Sequence, residues 1–436
     1  MNAKPFANNS SSSNTSTLSR RQFVQRGALT AATVSAFSVM PNSKARAQDE
    51  ITVGVIGCGG RGKGAAENAI RADDAVRIVA AADLFEHRLD SLRERVAKHG
   101  QEVPRAHCFT GWDAYQQVID SDVDYIILAT PPVFRPPMLE AAVQAGKHVF
   151  MEKPAAIDPP GIRRIIQAGE AAREKGLSIV AGTQRRHEDS YVTTIKRLQE
   201  GAIGDILALH VYWCGGPIAF RGDPNQMSEM EYQINNWYHY LWLSGDHIVE
   251  QHVHNIDIGC WVMDDYPMKA IGFGGQGWKR RGNIWDHHAV DFEFANGVHM
   301  HSLCEQMPGG INRVEEIAVG SKGRSNCRDW IGGPNEWKYE GDYQNPYVQE
   351  HINLIASIRE GEGLNEAATV AKSTLVGIMG RTAGYEQREV TWDEIYNSSQ
   401  SFTPAEFAMG DHPIRPAQIP SGEPFDPSAG WNPDPS

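Results

Sequence analysis

A short strand that runs directly into a glycine-rich turn constrains this chain most. Residues 51–56 read ITVGVI, and a helix-like stretch over residues 63–70 follows the turn, which comprises Gly57, Cys58, Gly59, Gly60, Arg61 and Gly62. In this GxGxxG spacing Gly57 permits a tight turn, Gly59 lets the backbone approach a pyrophosphate, and Gly62 lets helix and strand pack closely. The free amides at the helix N-terminus attract phosphate. We therefore expect the loop, with Gly60 and Arg61, to bind a dinucleotide.

A carboxylate at the end of the next strand bears on which dinucleotide binds. Residues 76–82 form a second apolar run that ends in Asp83. The acid stands about 20 residues past the glycines, where this fold binds the ribose diol of the adenosine. A carboxylate there repels a 2′-phosphate, so NAD is favoured over NADP. The alternative is that Asp83 only caps its strand.

Strands and helices continue to alternate up to about residue 181. Helices are expected over residues 86–99 and 137–145, and strands over residues 124–129 and 148–151. This alternation predicts an α/β domain with a parallel, doubly wound sheet. Ligands of such sheets lie beyond the carboxyl ends of the strands. Thr130, Pro131 and Glu152, which follow two of these strands, are therefore candidate cofactor contacts.

Charge and composition exclude other classes of partner. The formal net charge of -13 argues against nucleic acid, because an acidic surface repels phosphate. No run after the N-terminal segment is long and apolar enough for stable membrane insertion. The six cysteines lie far apart without metal-finger spacing, so we expect mostly buried thiols and no metal.

The first 47 residues have the order of an export signal. Arg20-Arg21 is followed by Phe23, then by a mildly apolar run over residues 27–40, then by Ala45-Arg46-Ala47. This order resembles a twin-arginine signal and predicts export to the periplasm. The alternative is a chance arginine pair in a disordered tail. An exported enzyme finds little free NAD and must carry its own.

The segment Glu152-Lys153-Pro154 makes the similarity to a known family specific. With the GxGxxG loop, Asp83 and the turn at 129–131, it resembles the family of glucose–fructose oxidoreductase, inositol dehydrogenase and rhizopine-catabolism proteins. The resemblance spans about residues 50–395. It implies that Lys153 lies against the nicotinamide and the substrate hydroxyl. In that family the corresponding Lys–Pro bond is often cis, so a cis bond is expected at Lys153–Pro154. An ammonium in a water-poor cleft stabilises a developing alkoxide.

Beyond about residue 205 the helix–strand alternation gives way to period-2 runs. Residues 295–297 (Ala-Asn-Gly) separate two of them as a hairpin turn. We expect an α+β domain with a large, mostly antiparallel, open-faced sheet, which matches the family's substrate domain. The predicted order is a signal (1–47), a Rossmann NAD-binding domain (48–176), a substrate and oligomerisation domain (177–395) and an extended tail (396–436). The open face favours a homodimer or homotetramer, and the tail is either disordered or lies on a neighbouring subunit.

The most informative segment of the second half is residues 245–257. On one helix, Val249, Val253, Ile256 and Cys260 form an apolar stripe, and the opposite face carries His247, Glu250, His254 and Asp257. Solvated surface, a metal site and acid–base chemistry are the three interpretations, and the last is favoured. By resemblance, Glu250, His254 and Asp257 match an acid–histidine–aspartate spacing, with Glu in place of the usual Asp. His254 would accept the proton, and Glu250 and Asp257 would orient it or bind substrate hydroxyls.

Aromatic and basic residues nearby complete the expected site. Trp237 and Tyr238 suit a carbohydrate wall or the core, and Arg186 is a candidate contact for cofactor or substrate. We expect an oxidoreductase that transfers hydride between a sugar or polyol hydroxyl carbon and a tightly held NAD. An NAD-dependent glycoside hydrolase that works by transient oxidation and elimination is the alternative. A non-catalytic sugar-binding or assembly protein is a third class.

Overall fold

The computed structural model describes residues 50–278 and 281–413. The predicted export signal (1–47) and the last part of the predicted tail lie outside these residues. Among the helices that are described, none is both long and apolar enough to cross a bilayer.

Six parallel strands form the nucleotide-binding sheet, in the order β3-β2-β1-β4-β5-β6. The strands are β1 (Ile51–Ile56), β2 (Val76–Asp83), β3 (Cys108–Thr110), β4 (Tyr125–Leu128), β5 (His148–Met151) and β6 (Ile179–Ala181). The helices are α1 (Gly60–Ala72), α2 (Glu86–Ala97), α3 (Ala114–Ile119), α4 (Arg135–Gln144) and α5 (Pro159–Glu174). This strand order is that of a dinucleotide-binding fold and confirms the predicted doubly wound sheet.

The domain boundary predicted between residues 176 and 177 divides this sheet in the wrong place. β6 follows that boundary, yet it is fully buried and pairs in parallel with β5. Helix α11 (Pro346–Glu360) also belongs here, because its Leu354 and Ile355 share the apolar core of β1. Strand pairing and burial therefore place β6 and α11 in the nucleotide-binding layer, although both follow residue 176.

A nine-stranded sheet forms the second layer, in the order β14-β13-β12-β11-β7-β10-β9-β8-β15. Its strands are β7 (Ile206–Gly215), β8 (Lys269–Gly275), β9 (His287–Glu293), β10 (His299–Gln306), β11 (Arg313–Gly320), β12 (Gly323–Ser325), β13 (Trp330–Gly332), β14 (Trp337–Lys338) and β15 (Val390–Thr391). The pairs are antiparallel except β7 with β10. The predicted hairpin is confirmed: Gly297 has φ +79°, and Phe294 N–H donates to Val298 O at 2.9 Å.

The second half also contains helices. They are α6 (Asp189–Gln199), α7 (Glu229–Asn235), α8 (Leu241–Ser244), α9 (His247–Glu250), α10 (Val253–Met263), α12 (Ala367–Glu386) and α13 (Trp392–Asn397). Helices α10 and α12 pack against the strands of this sheet. Helix α12 is buried on nearly all sides, as expected of a helix that is enclosed by other elements. Its Arg381 donates to the carbonyls of Ile157 and Gly245, so it joins segments from both halves of the chain.

The described part of the predicted tail packs on its own chain. Residues 398–413 have no regular structure. Phe407 stacks on Trp112 with 5.6 Å between ring centroids, and Met230 N–H donates to Gly410 O at 3.0 Å. Phe407 and Gly410 thus contact their own chain, and the two predicted alternatives for the tail stay predictions.

The cysteines behave as the spacing predicts. All six are free thiols, and five of them are buried. Within the described ranges, no group of three or more histidine, cysteine, aspartate or glutamate side chains is arranged to hold a metal ion.

Candidate active site

The glycine-rich loop is shaped by close contacts on one side and open space on the other. Gly57 has φ +90°, and a Cβ there would lie 2.7 Å from the backbone of Ala129. A Cβ on Gly62 would lie 1.8 Å from Gly57 O. Nothing lies within 4 Å of the Cβ position of Gly59 or Gly60. Gly57 and Gly62 are therefore needed for packing, and Gly59 and Gly60 leave the backbone accessible, so the loop fits a dinucleotide.

Asp83 lies at the wall of the cleft that this loop borders. Its Oδ2 accepts from Cys58 N–H at 2.7 Å, and its Oδ1 accepts from Phe85 N–H at 3.0 Å. Arg88 Nη1 lies 3.8 Å from Oδ1. Asp83 thus caps its strand end and also lies in the lining of the cleft, and its contact with the ribose diol stays a prediction.

Thr130 and Pro131 line the same cleft, and Trp237 closes it from the second half of the chain. Buried Arg135 donates to Thr130 O at 2.7 Å and also donates to Pro154 O, which follows the cis Lys153–Pro154 bond. Burial lowers the pKa of Arg135 to about 10. Arg135 therefore ties the turn after β4 to the turn after β5. Sequence reasoning missed it, although a charge within an apolar stretch was a usable signal.

Glu152 is held by the loop arginine rather than left free at the end of β5. Arg61 forms an ion pair with Glu152, lies 3.9 Å from Glu350 Oε2, and covers the ring of Tyr347 at 4.8 Å. Burial, reinforced by the carboxylate of Glu152, raises the pKa of Glu350 well above its usual range. Arg61 and Glu152, both predicted to contact the cofactor, thus hold each other in place by this ion pair.

Lys153 and Glu250 meet across the two halves of the chain. The Lys153 ammonium donates to Glu250 O at 2.6 Å and to Glu250 Oε1 at 3.0 Å. Both side chains are buried, at 10% and 6% exposure. The second carboxylate oxygen, Oε2, has no hydrogen-bond partner among the described residues. Glu250 Oε2 therefore remains as a hydrogen-bond acceptor beside the fixed ammonium of Lys153. A substrate hydroxyl needs such an acceptor for its proton.

The single helix predicted over residues 245–257 is wrong, because the structure divides it into α9 and α10. His252 N–H donates to His247 O, five residues back, at 3.2 Å, and His254 N–H donates to Gln251 O, three residues back, at 3.2 Å. This wide turn followed by a tight one rotates α10 relative to α9. The expected polar face is thus neither continuous nor exposed.

The four polar residues of that segment are buried and take different partners. His247 bonds Tyr238, Glu250 bonds Lys153, His254 stacks on Trp213, and Asp257 pairs with Arg186.

His254 is enclosed by an aromatic ring and by cations. Its ring stacks on Trp213 with 5.6 Å between centroids and 23° between planes. Burial lowers the pKa of His254 well below its usual value, and the charges of Lys153, Arg185 and Arg61 lower it further. The imidazole is therefore neutral near pH 7 and able to accept a proton. Trp213 was missed, although the period-2 pattern of β7 places it on the same sheet face as buried Val211.

Asp257 and Arg186, both predicted to contact ligand, contact each other. Arg186 Nε and Nη2 donate to the two carboxylate oxygens at 2.8 Å each, and Ser373 adds a donor at 2.6 Å. Such a bidentate, buried pair fixes orientation. It anchors α10, which carries His254, to the turn after β6.

The predicted aromatic wall also separates into two roles. Trp237 lines the nucleotide cleft, whereas the buried hydroxyl of Tyr238 bonds His247 Nδ1 at 3.1 Å and accepts from Gln306 at 2.9 Å. Trp213, and not Tyr238, is the ring beside His254.

Comparison with known proteins agrees with this geometry. Residues 51–182 match the model of the Gfo/Idh/MocA family, described as an oxidoreductase family with an NAD-binding Rossmann fold. The inositol 2-dehydrogenase of Rubrobacter xylanophilus is 26% identical over 57% of this chain and 63% of its own length. Glycosyl hydrolase family 109 protein 2 of Shewanella sp. is 27% identical over 43% of this chain and 39% of its own. The chain thus matches less than two thirds of the length of these relatives.

Solved structures share the fold over a longer stretch. The scyllo-inositol dehydrogenase of Lactobacillus casei, determined with NAD(H) and scyllo-inositol, aligns with a TM-score of 0.60 and 20% identity. It covers 79% of this chain and 99% of that protein. Loop, sheet order and family match agree on NAD as the cofactor. Residues 51–182 therefore match the NAD-binding part of the Gfo/Idh/MocA family of oxidoreductases, named after glucose–fructose oxidoreductase, inositol dehydrogenase and the rhizopine-catabolism proteins.

Proposed function

We propose that the protein is an NAD-dependent oxidoreductase that oxidises a hydroxyl-bearing carbon of a sugar or polyol. The observation that carries this proposal is a buried ammonium, Lys153, fixed on Glu250, with His254 neutral and close enough for the charge of Lys153 to lower its pKa. The similarity to an inositol 2-dehydrogenase supports the same substrate class.

The residues divide the work of alcohol oxidation between them. NAD, when bound, supplies the hydride acceptor. Lys153 stabilises negative charge on the hydroxyl oxygen, and His254 accepts the hydroxyl proton, because its buried imidazole is neutral at pH 7. Glu250 holds the ammonium and offers Oε2 as an acceptor for a neighbouring hydroxyl. Arg186 and Asp257 fix α10 and hence the imidazole.

A hydrolytic cycle on the same residues is the second candidate. The similarity to a glycosyl hydrolase family 109 protein favours it. In such a cycle the sugar is oxidised transiently, its glycosidic substituent is eliminated, water adds to the resulting double bond, and the hydride returns to the keto carbon. The acid–base groups needed are again Lys153 and His254.

Export by the twin-arginine signal is part of the proposal. The support is the order of Arg20-Arg21, the apolar run and Ala45-Arg46-Ala47. A periplasmic enzyme would retain its NAD, so each oxidation must be followed by a reduction on the same molecule. Cell fractionation of the wild type and of a variant with Arg20→Lys and Arg21→Lys tests this. Equal periplasmic yield from both would contradict it.

A homodimer or homotetramer formed through the open sheet face is also proposed. Phe273, Ala289 and Leu303 are neighbours across β8, β9 and β10, and Phe273 is 68% exposed. An apolar row of this kind on a monomer surface favours self-association. Light scattering of Phe273→Glu, which should shift the protein towards monomer, tests the assignment.

The catalytic proposal is tested with purified full-length protein. Mass spectrometry should find co-purifying NAD, and sugars should reduce it in the wild type. His254→Ala should keep its NAD and lose reduction, whereas His287→Ala, at a half-exposed position of β9, should keep both. With a glycoside, a keto-sugar and NADH indicate the dehydrogenase, and a free sugar without NADH indicates the hydrolase. Full turnover by His254→Ala would contradict the assignment.

A further inference from the structure

We propose that a second cleft beside His254 binds a neutral sugar unit, so that the substrate is a glycoside of at least two units. This outer cleft is lined by Arg185, Glu188, Tyr191, Glu316, Arg328 and Tyr347. The inference rests on the proposed oxidation of a sugar hydroxyl and specifies its substrate class.

The outer cleft is large enough to hold a small molecule. Its volume is about 450 Å³, within the range of small-molecule pockets. It lies between the turn Gln184–His187, β11 and the first residues of α11. A turn, a strand and the start of a helix therefore form its walls.

Trp213 joins the outer cleft to the catalytic residues. Its ring stacks on His254 and lies 5.9 Å from the Arg185 guanidinium. Val314, which lines the cleft, is the direct strand partner of Trp213. Tyr347, on the far wall, lies under Arg61 of the glycine-rich loop. A ligand unit in the outer cleft would therefore continue from a sugar held at Lys153 and His254.

The charges of the lining select against an anionic ligand. Arg185 pairs with Glu316, and Arg328 pairs with Glu188 at 2.8 Å. Glu315 adds a further carboxylate to the lining. Each arginine of this cleft is thus already neutralised, so a phosphate or uronate would meet no unpaired cation there.

A neutral, hydroxyl-rich ligand fits the same lining. Charged pairs supply both hydrogen-bond donors and acceptors for hydroxyl groups. Tyr347, which is 39% exposed, adds ring surface for the C–H face of a sugar. An isolated cyclitol at Lys153 would leave this cleft unused, whereas a disaccharide would occupy both parts.

Kinetics with matched sugars test the outer cleft. The probes are cellobiose, maltose and lactose, each against its component monosaccharides, and the readout is reduction of the bound NAD in the purified full-length protein. We expect the second-order rate constant for reduction of the bound NAD to be at least tenfold higher for the best disaccharide than for its monosaccharides. Calorimetric binding of the same sugars provides a readout that does not depend on turnover.

Two variants locate the effect. Arg328→Ala removes a donor from the cleft, and Val314→Trp fills it from a position that is 45% exposed. Each should lower the disaccharide-to-monosaccharide ratio of this rate constant at least fivefold and weaken disaccharide binding. Arg324→Ala, on the same β-hairpin but outside the lining, should leave the ratio unchanged.

Two outcomes of these experiments test the outer cleft and the oxidoreductase activity separately. Reduction by monosaccharides and disaccharides at equal efficiency, with neither variant changing the ratio, would overturn the outer cleft and leave the oxidoreductase intact. Failure of every sugar to reduce the bound NAD would overturn the oxidoreductase and the cleft together.

Discussion

The ammonium of Lys153 donates to the backbone carbonyl of Glu250 at 2.6 Å, while the side chain of the same glutamate lies 3.0 Å away. One residue thus fixes the ammonium by two acceptors, of which only one is removed by mutation of its side chain. Lys153 should therefore stay in place when the charge of Glu250 is lost.

Lys153→Met should reduce hydride transfer by about 10²–10³-fold, as expected for loss of a group that stabilises a developing oxyanion. Glu250→Gln should cost less, about tenfold, because the backbone carbonyl still accepts from the ammonium. Single-turnover absorbance of bound NADH measures both. The matched control is Lys147→Met, because the ammonium of Lys147 donates to the carbonyls of Ser121 and Val123, away from the candidate active site. A larger loss in Glu250→Gln than in Lys153→Met would refute this ranking.

The pH profile should report a neutral His254. Burial and nearby cations lower its pKa, so the free base persists to below pH 6.5. Sugar oxidation should therefore hold its rate from pH 8 to 6.5 and fall only at lower pH. His254→Gln should remove this acidic limb along with most of the rate. A limb centred above pH 6.5 in the wild type would contradict the proposed base.

Folding stability should also decline in acid, and His351 should contribute. Burial lowers the pKa of His351 to about 3. The unfolded chain binds this proton at about pH 6.5, so stability is fully present above that pH and is lost as the pH falls towards 3.

The expected loss from His351 alone is about 1.4 kcal/mol per pH unit in that window. Chemical denaturation between pH 7 and 4.5 measures it. His351→Phe should flatten the profile, because phenylalanine binds no proton. The substitution also keeps a ring against Phe150, which lies 4.3 Å away between centroids. An equally steep profile in the variant would count against the assignment.

Asp83→Asn should admit NADP. The change removes the charge that repels a 2′-phosphate and leaves Arg88, now 3.8 Å from the carboxylate, free to face it. The NADP-to-NAD ratio of the nucleotide released by heat should rise at least tenfold. Asp90→Asn, at a carboxylate that pairs with Arg105 instead, should not change the ratio. A constant ratio with normal nucleotide content would argue against this role.

Phe407→Ala should loosen the nucleotide cleft. Phe407 stacks behind Trp112 and Phe134, which both line that cleft. Loss of NAD during dialysis should accelerate at least tenfold, because Trp112 would lose its support. Met409→Ala, at a half-exposed position of the same segment, is the control. Equal retention in both variants would mean that the segment is only a surface covering.

Several features of the site could be predicted because they depend on neighbours in sequence. β1 and β5 have the predicted bounds, since runs of β-branched and aromatic residues between glycines and polar turns define them. The roles of Gly57 and Gly62 follow from the spacing of the loop alone. The role of Lys153 was implied by family resemblance and not by any local pattern, and its contact with Glu250 was not predicted.

The sequence by itself thus determined the nucleotide-binding loop, the preference for NAD and the alternation that builds the first sheet, because each is encoded within about 30 residues. Only the tertiary structure decided the partners of the catalytic side chains. Lys153 and Glu250 are 97 positions apart, and Arg186 and Asp257 are 71 apart. The turn between α9 and α10 redirects each polar residue, so side-chain direction depends on packing across the two sheets and not on helical periodicity.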